Sequence, residues 1–285
     1  MTPYTIQNIL VPIDLSETSL NALHTAVALA KIHQAGIHLL HVEETIPGLA
    51  ESQSDTVLTH EINKDVLTAL AGSLRQADGL LPVVHEQQGN VVECIIKTAL
   101  DSQCDLIVLG THGASGFRDG FIGSNTYSVF KYAPCPVLSI PPRRKFSSFK
   151  KVLFPIKPIS GALLPYDVAS QFLAANSWVE VLGLSYLNIE RETDVLDKIV
   201  EEFRDRWDDK KINFRTSWSQ GASVAFDILQ FAQQNLPDLI VLTSVLDALP
   251  KSNFIGPNAQ KVIHGARVPV LQIKKSSVLV ATKVA

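Results

Sequence analysis

The sequence predicts an α/β protein built twice: two repeats of a five-stranded, doubly wound parallel sheet, joined as an internal pseudo-dimer. Three observations lead there. Asp105-Leu106-Ile107-Val108-Leu109 recurs letter for letter as Asp238-Leu239-Ile240-Val241-Leu242, an offset of 133 residues, and at that offset Pro136-Val137-Leu138 meets Pro269-Val270-Leu271. Ile9-Leu10-Val11-Pro12-Ile13 resembles Val152-Leu153-Phe154-Pro155-Ile156 at an offset of 143, so the chain of 285 residues reads as a duplication of about 140. Within each copy, short runs rich in Val, Ile and Leu alternate with stretches of helical length, the pattern of parallel strands buried on both faces by crossover helices.

In the first copy, strands are expected at 8–13, 37–42, 80–85, 105–110 and 136–140, each run being apolar but too short for a helix. The helical stretches between them cover about 17–35, 55–77, 90–102 and 124–133. The second copy places strands near 151–156, 178–184, 212–217, 238–243 and 269–273. Pro141-Pro142-Arg143-Arg144-Lys145 suits neither strand nor helix, which divides the chain into a unit at 1–140, a linker at 141–149 and a unit at 150–285. Aligning the second strands gives an offset of about 142 and aligning Gly89 with Gly221 gives 132, so the first copy holds about ten extra residues around 44–55. They follow a strand's carboxyl end, where a segment either covers a ligand or merely connects. Strands 136–140 and 269–273 would be exposed apolar edges in isolated copies, and their mutual pairing covers both.

The composition, 46% hydrophobic and 19% charged, is that of a globular chain, and no apolar run approaches the roughly 18 residues of a membrane span. The first basic residue is Lys31, so no secretory leader is expected, the mature chain should start near Met1, and a cytoplasmic location is expected. Cys94, Cys104 and Cys135 show no CxxC spacing and read as packing residues in a reducing compartment. Residues 1–142 hold 6 Lys+Arg against 14 Asp+Glu, and 143–285 hold 19 against 14, so the halves carry −8 and +5. That opposition suits either attraction between the halves or an anionic partner for the second. No nucleic-acid partner is expected.

The chemistry-bearing motif follows the repeated strand: Gly110-x2-Gly113-x9-Gly123-Ser124, then a helical stretch. A glycine at a strand end lets backbone approach a ligand, and a Gly-Ser opening a helix offers free N–H groups, a hydroxyl and the positive dipole end to an anion such as phosphate. The same residues also suit a plain glycine turn and helix cap. Arg118 is either a phosphate contact or a solvated loop residue. His112 is placed to hydrogen-bond phosphate, but it has no evident orienting partner and is not read as catalytic. Seven of the eight histidines lie in the first copy without HExxH or other metal spacing, and no metal-binding residues are assigned.

Taken with Ala133-Pro134-Cys135-Pro136-Val137-Leu138, the opening Ile9–Pro12-x-Asp14-x-Ser16 and His41-Val42, this motif resembles the nucleotide-binding signature of the universal stress protein family. The resemblance covers the whole first copy and, more faintly, the second. It implies a Rossmann-like fold, adenine-nucleotide binding in the motif-bearing members and a stress-response or regulatory role without strong enzymatic activity. Carried over, Pro12, Ile13, Asp14 and Val42 would hold the adenosine, and Gly110, His112, Gly113, Gly123, Ser124 and Asn125 the ribose and phosphates. Asn125 stands where a small apolar residue is common. Asp14 is alternatively a helix cap beside Ser16. Asp105 reads as a strand-start residue, because Asp238 keeps it in the other copy.

In the second copy Asp14 aligns with Lys157, Gly110 with Thr243, Gly113 with Leu246 and Ser124 with Pro257, leaving only Gly256 of the motif. Leu246 puts a branched side chain where backbone should approach phosphate, and Pro257 removes an N–H and a hydroxyl. The second copy is therefore either a scaffold or a pocket remodelled for another ligand. We expect one ATP per chain, with Mg²⁺, bound in the first copy of a non-enzymatic regulatory protein. The alternatives are a slow ATP-hydrolysing enzyme, disfavoured because no GxxxxGK[ST] loop is present, and a scaffold binding a lipid or protein through the second copy. An unidentified protein partner and a homodimer of such chains are further expectations.

Overall fold

Alternation of side chains sets the layers. In β1 (Asn8–Pro12), Ile9 and Val11 enter one apolar cluster and Leu10 enters another, as a strand buried on both faces requires. The computed structural model describes residues 4–44, 53–111, 123–142, 149–157, 166–184, 189–219, 223–243, 246 and 256–274. After β1 the first half continues through α1 (Glu17–His33), β2 (Gly36–Glu44), α2 (Gln53–Asp78), β3 (Val83–Gly89), α3 (Val91–Asp101), β4 (Leu106–Gly110), α4 (Ser124–Tyr132) and β5 (Val137–Ile140). The second half comprises β6 (Lys151–Ile156), α5 (Tyr166–Ala169), β7 (Trp178–Leu184), α6 (Ile189–Arg206), β8 (Asn213–Ser219), α7 (Val224–Asn235), β9 (Leu239–Thr243), α8 (Pro257–Gly265) and β10 (Val270–Ile273). Leu23, Ala26 and Leu67 bring α1 and α2 onto the Ile9 face, while Ile95, Val129 and Phe130 bring α3 and α4 onto the Leu10 face.

All ten strands form one sheet in the order β3-β2-β1-β4-β5-β10-β9-β6-β7-β8. Pairing is parallel within each half and antiparallel at the seam, where Leu138 faces Leu271 and Ser139 faces Val270. The doubly wound fold, its duplication and the meeting of the two edge strands are as the sequence predicts. The repeated aspartate has a structural reason. Asp105 Oδ2 accepts the N–H groups of Gln7 and Asn8 at 2.8 and 2.9 Å, and Asp238 Oδ2 accepts those of Lys150 and Lys151 at 3.1 and 3.0 Å. Each carboxylate satisfies the backbone donors that open the neighbouring strand, so the residue survives in both copies.

One strand departs from expectation. β3 starts at Val83 rather than residue 80, and Leu81 and Val83 are exposed. It is an edge strand, paired only with β2, and Pro82 brings no N–H to a ladder. Burial on both faces does not apply to it. The three cysteines are buried and free, as packing residues should be, and burial raises all three thiols, Cys104 to about 12.

Polar pairs lock the outer strands of each half. His38 Nδ1 on β2 lies 3.0 Å from His85 Nε2 on β3, with ring planes 17° apart and centroids 5.3 Å apart. The centroid separation exceeds the N···N distance by about two ring radii, so the rings meet edge to edge in an N–H···N hydrogen bond. The equivalent positions in the second half are Glu180 and Ser217, whose hydroxyl donates to the buried carboxylate at 2.6 Å. An N–H···N bond needs one neutral ring. Burial lowers both histidines, and the neighbouring His85 lowers His38 further. Below about pH 6.5 the unfolded chain then binds more protons than the folded one, and folding stability is expected to fall as pH drops from 7 toward 5. Urea unfolding at both pH values tests this against His38→Gln with His85→Ser, whose stability should fall less; equal pH dependence would remove the pair from the account.

Candidate functional site

The site forms where the winding of the first half reverses, at the carboxyl ends of β1 and β4, the place an open α/β sheet leaves a crevice. Helix α1 starts from Ser16, whose Oγ caps the Ser19 N–H at 3.2 Å. Asp14 Oδ1 in turn accepts the Ser16 N–H at 3.0 Å and its hydroxyl at 2.5 Å. Asp14 is thus not itself the cap but braces the residue that is, across a turn in which Leu15 holds a left-handed φ of 61°. His41 Nδ1 meets the Ile13 carbonyl at 2.8 Å and ties this turn to β2.

The carboxyl ends of β1, β2 and β4 and the first turn of α4 line a cavity of about 310 Å³. Its apolar walls are Leu40 and Val42 of β2, Val91 and Ile95 of α3, Leu109 of β4 and Val129 of α4, with Pro12 and Ile13 beside them. Its polar side carries Asp14, Ser19, Ser124, Asn125 and Thr126, and Glu44 joins at the end of β2. Helix α4 opens at Gly123 with no side-chain cap, and the N–H groups of Ser124, Asn125 and Thr126, three residues that line the cavity, have no intrahelical acceptor. That end suits an anion.

Pro12, Ile13, Asp14, Val42, Gly110, Gly123, Ser124 and Asn125 all line this one cavity. His112, Gly113 and Arg118 lie outside the described residues, as does most of the extra stretch after β2. Gly110 has a further reason to be glycine. A Cβ there would stand 3.0 Å from the Thr18 carbonyl carbon and Cβ, so the residue lets the first turn of α1 press on β4. Its carbonyl accepts the Thr126 hydroxyl at 3.2 Å, tying β4 to α4. Sequence reasoning did not single out Ser19, Leu40, Glu44, Val91, Ile95, Leu109, Thr126 and Val129 as cavity residues. The i, i+4 spacing of Val91 and Ile95 was the available signal, and it reads equally as core.

In the second half the counterpart positions are apolar and buried. The counterparts of Leu40, Val42, Val91 and Ile95 are Leu182, Leu184, Val224 and Ile228, all buried in one apolar cluster. Leu246, the counterpart of Gly113, is 2% exposed in that same cluster. Helix α8 still begins at a glycine, Gly256, but Pro257 follows it and has no N–H to offer.

Fold and site together define a two-repeat α/β protein with a crevice at the strand carboxyl ends of its first repeat. Residues 5–141 match the model of the universal stress protein family. The chain is 32% identical over 140 residues to the universal stress protein in the QAH/OAS sulfhydrylase 3′ region of Thermus aquaticus, covering 98% of that protein and 47% of itself. It is 30% identical over 142 residues to universal stress protein YxiE of Bacillus subtilis, covering 96% of that protein and 46% of itself. The chain belongs to the universal stress protein family. Its fold over both repeats is that of a universal stress protein from Archaeoglobus fulgidus, with a TM-score of 0.72 at 21% identity over 94% of this chain and 98% of that one. No helix among the described residues is long and apolar enough to cross a membrane.

Proposed function

We propose that the first repeat binds one adenine nucleotide, ATP with Mg²⁺, as a regulatory ligand in stress response, and that the second repeat is a scaffold without a nucleotide site. The observation that carries this is the convergence of eight sequence-assigned residues on a single cavity with an apolar slot at one side and an uncapped helix end at the other. The slot between Val42, Val91 and Ile95 suits a planar base, and the Ser124–Asn125–Thr126 N–H groups suit phosphate oxygens. Asp14, at the end of β1, is in position to accept from the nucleoside. No group of three or more His, Cys, Asp or Glu among the described residues forms a metal cage. Mg²⁺ would ride on the phosphates, with water completing its shell. The chain's own part is to bind, orient and partly desolvate the nucleotide.

Calorimetric titration of the full chain with MgATP tests the reading, with one site per chain expected. Two equivalent sites would overturn the asymmetry, and no heat with ATP, ADP or AMP would overturn the nucleotide assignment. Incubation of the purified complex should leave the nucleotide intact, and sustained phosphate release would replace the binding role with an enzymatic one.

A further inference from the structure

We propose that Lys274, a residue of the second repeat, is a positioning residue for the anion end of the first repeat's cavity, acting through helix α4. The inference rests on the nucleotide reading of that cavity and concerns how the scaffold repeat serves it. Lys274 follows β10, is 6% exposed, and reaches across the seam. Its Nζ donates to the Lys131 carbonyl at 2.8 Å and to the Ala133 carbonyl at 3.0 Å. These carbonyls close the C-terminal end of α4, the helix whose N-terminal N–H groups line the cavity. A cation here offsets the negative end of the helix dipole and adds its own positive charge about 13 Å from the cavity end of α4, along nine residues. The two hydrogen bonds also fix the tilt of the helix against the sheet.

The arrangement runs one way. At the repeat offset of 133, the first-repeat counterpart of Lys274 is Pro141, which has no donor to offer the end of α8. The basic half of the chain thus supplies a buried cation to the acidic half, at the end of the one helix of this pair whose opening residue retains its N–H. The titratable group acting on Lys274 is the Cys135 thiol just after α4, with Cys104 and Asp105 acting in turn on Cys135. Burial lowers the Lys274 ammonium to about 8, so its charge is sensitive to a ligand that favours the cation. By reciprocity, an anion bound at the other end of α4 raises it again, and binding near pH 8 takes up part of a proton.

The test is titration calorimetry with MgATP on the full chain at pH 7 and pH 8, in two buffers of different ionisation enthalpy. Wild type is expected to take up a fraction of a proton at pH 8 and to bind more weakly as pH rises from 7 to 9. Lys274→Met should bind about three- to fivefold more weakly at pH 7 and lose the lysine-linked uptake. Lys274→Arg should keep the affinity while losing the uptake, a separation that a purely structural role does not produce. If wild type binds and Lys274→Met matches it in both affinity and proton uptake, the inference falls while the nucleotide reading stands. If wild type binds no nucleotide, both fall. Should the variants not fold, the wild-type measurement decides, since binding without proton uptake between pH 7 and 9 overturns the coupling.

Discussion

Leu246→Ala is expected to destabilise the protein by about 2–5 kcal/mol, the cost of deleting a large aliphatic side chain from a packed interior. Leu246 is 2% exposed and shares its cluster with Leu182, Leu184, Val224, Ile228 and Val262, the residues that line an open cavity at the corresponding places of the first repeat. Removing a side chain that is 2% exposed in this cluster should leave a void. The void is apolar and lacks the charge and donors of the first site, since Lys157 stands for Asp14 and Pro257 for Ser124. No second nucleotide site is expected to appear. Urea unfolding of wild type and variant measures the first claim and titration calorimetry the second; a loss below about 1 kcal/mol would show that Leu246 is not packed as described.

How much of this was legible in the sequence depended on the range of the interaction. Strands 151–156 and 178–184 have the predicted bounds, because burial on both faces leaves a largely hydrophobic signature. β3 slipped by three residues because Gly79-Leu80-Leu81-Pro82 is apolar without being buried, and an edge strand carries no such signature. Asp105 could be read correctly because the second copy repeats it with the chemistry removed. Gly110 could be assigned to the site but not fully explained, since the Thr18 backbone that crowds it comes from a helix about ninety residues away in sequence. Val91, Ile95 and Val129 line the cavity from helical faces that periodicity assigns to core, and only the sheet's winding decides where core gives way to crevice. Lys274 carried no signal at all. Its partners are backbone carbonyls of the other repeat, which have no residue-type signature.

Ser124→Pro copies the opening of α8 onto α4 and is expected to remove most nucleotide binding while leaving the fold in place. The backbone already has the required form. Gly123 sits at φ −56° and ψ 141°, close to Gly256 at −70° and 166° before Pro257, and this extended conformation is the one a residue preceding proline adopts. Proline at the first helical position gives up an N–H that has no intrahelical acceptor, so the change in stability should stay within about 1 kcal/mol. For a bound phosphate the same change deletes one backbone donor and one hydroxyl. Contacts of this kind to a charged group are worth about 1.5–3 kcal/mol each when well formed, so the affinity should fall by at least on the order of a hundredfold. Calorimetric titration with MgATP and thermal unfolding on the same preparation separate the two effects. Wild-type affinity in a folded Ser124→Pro protein would place the phosphates away from α4, and with them the anion end of the cavity.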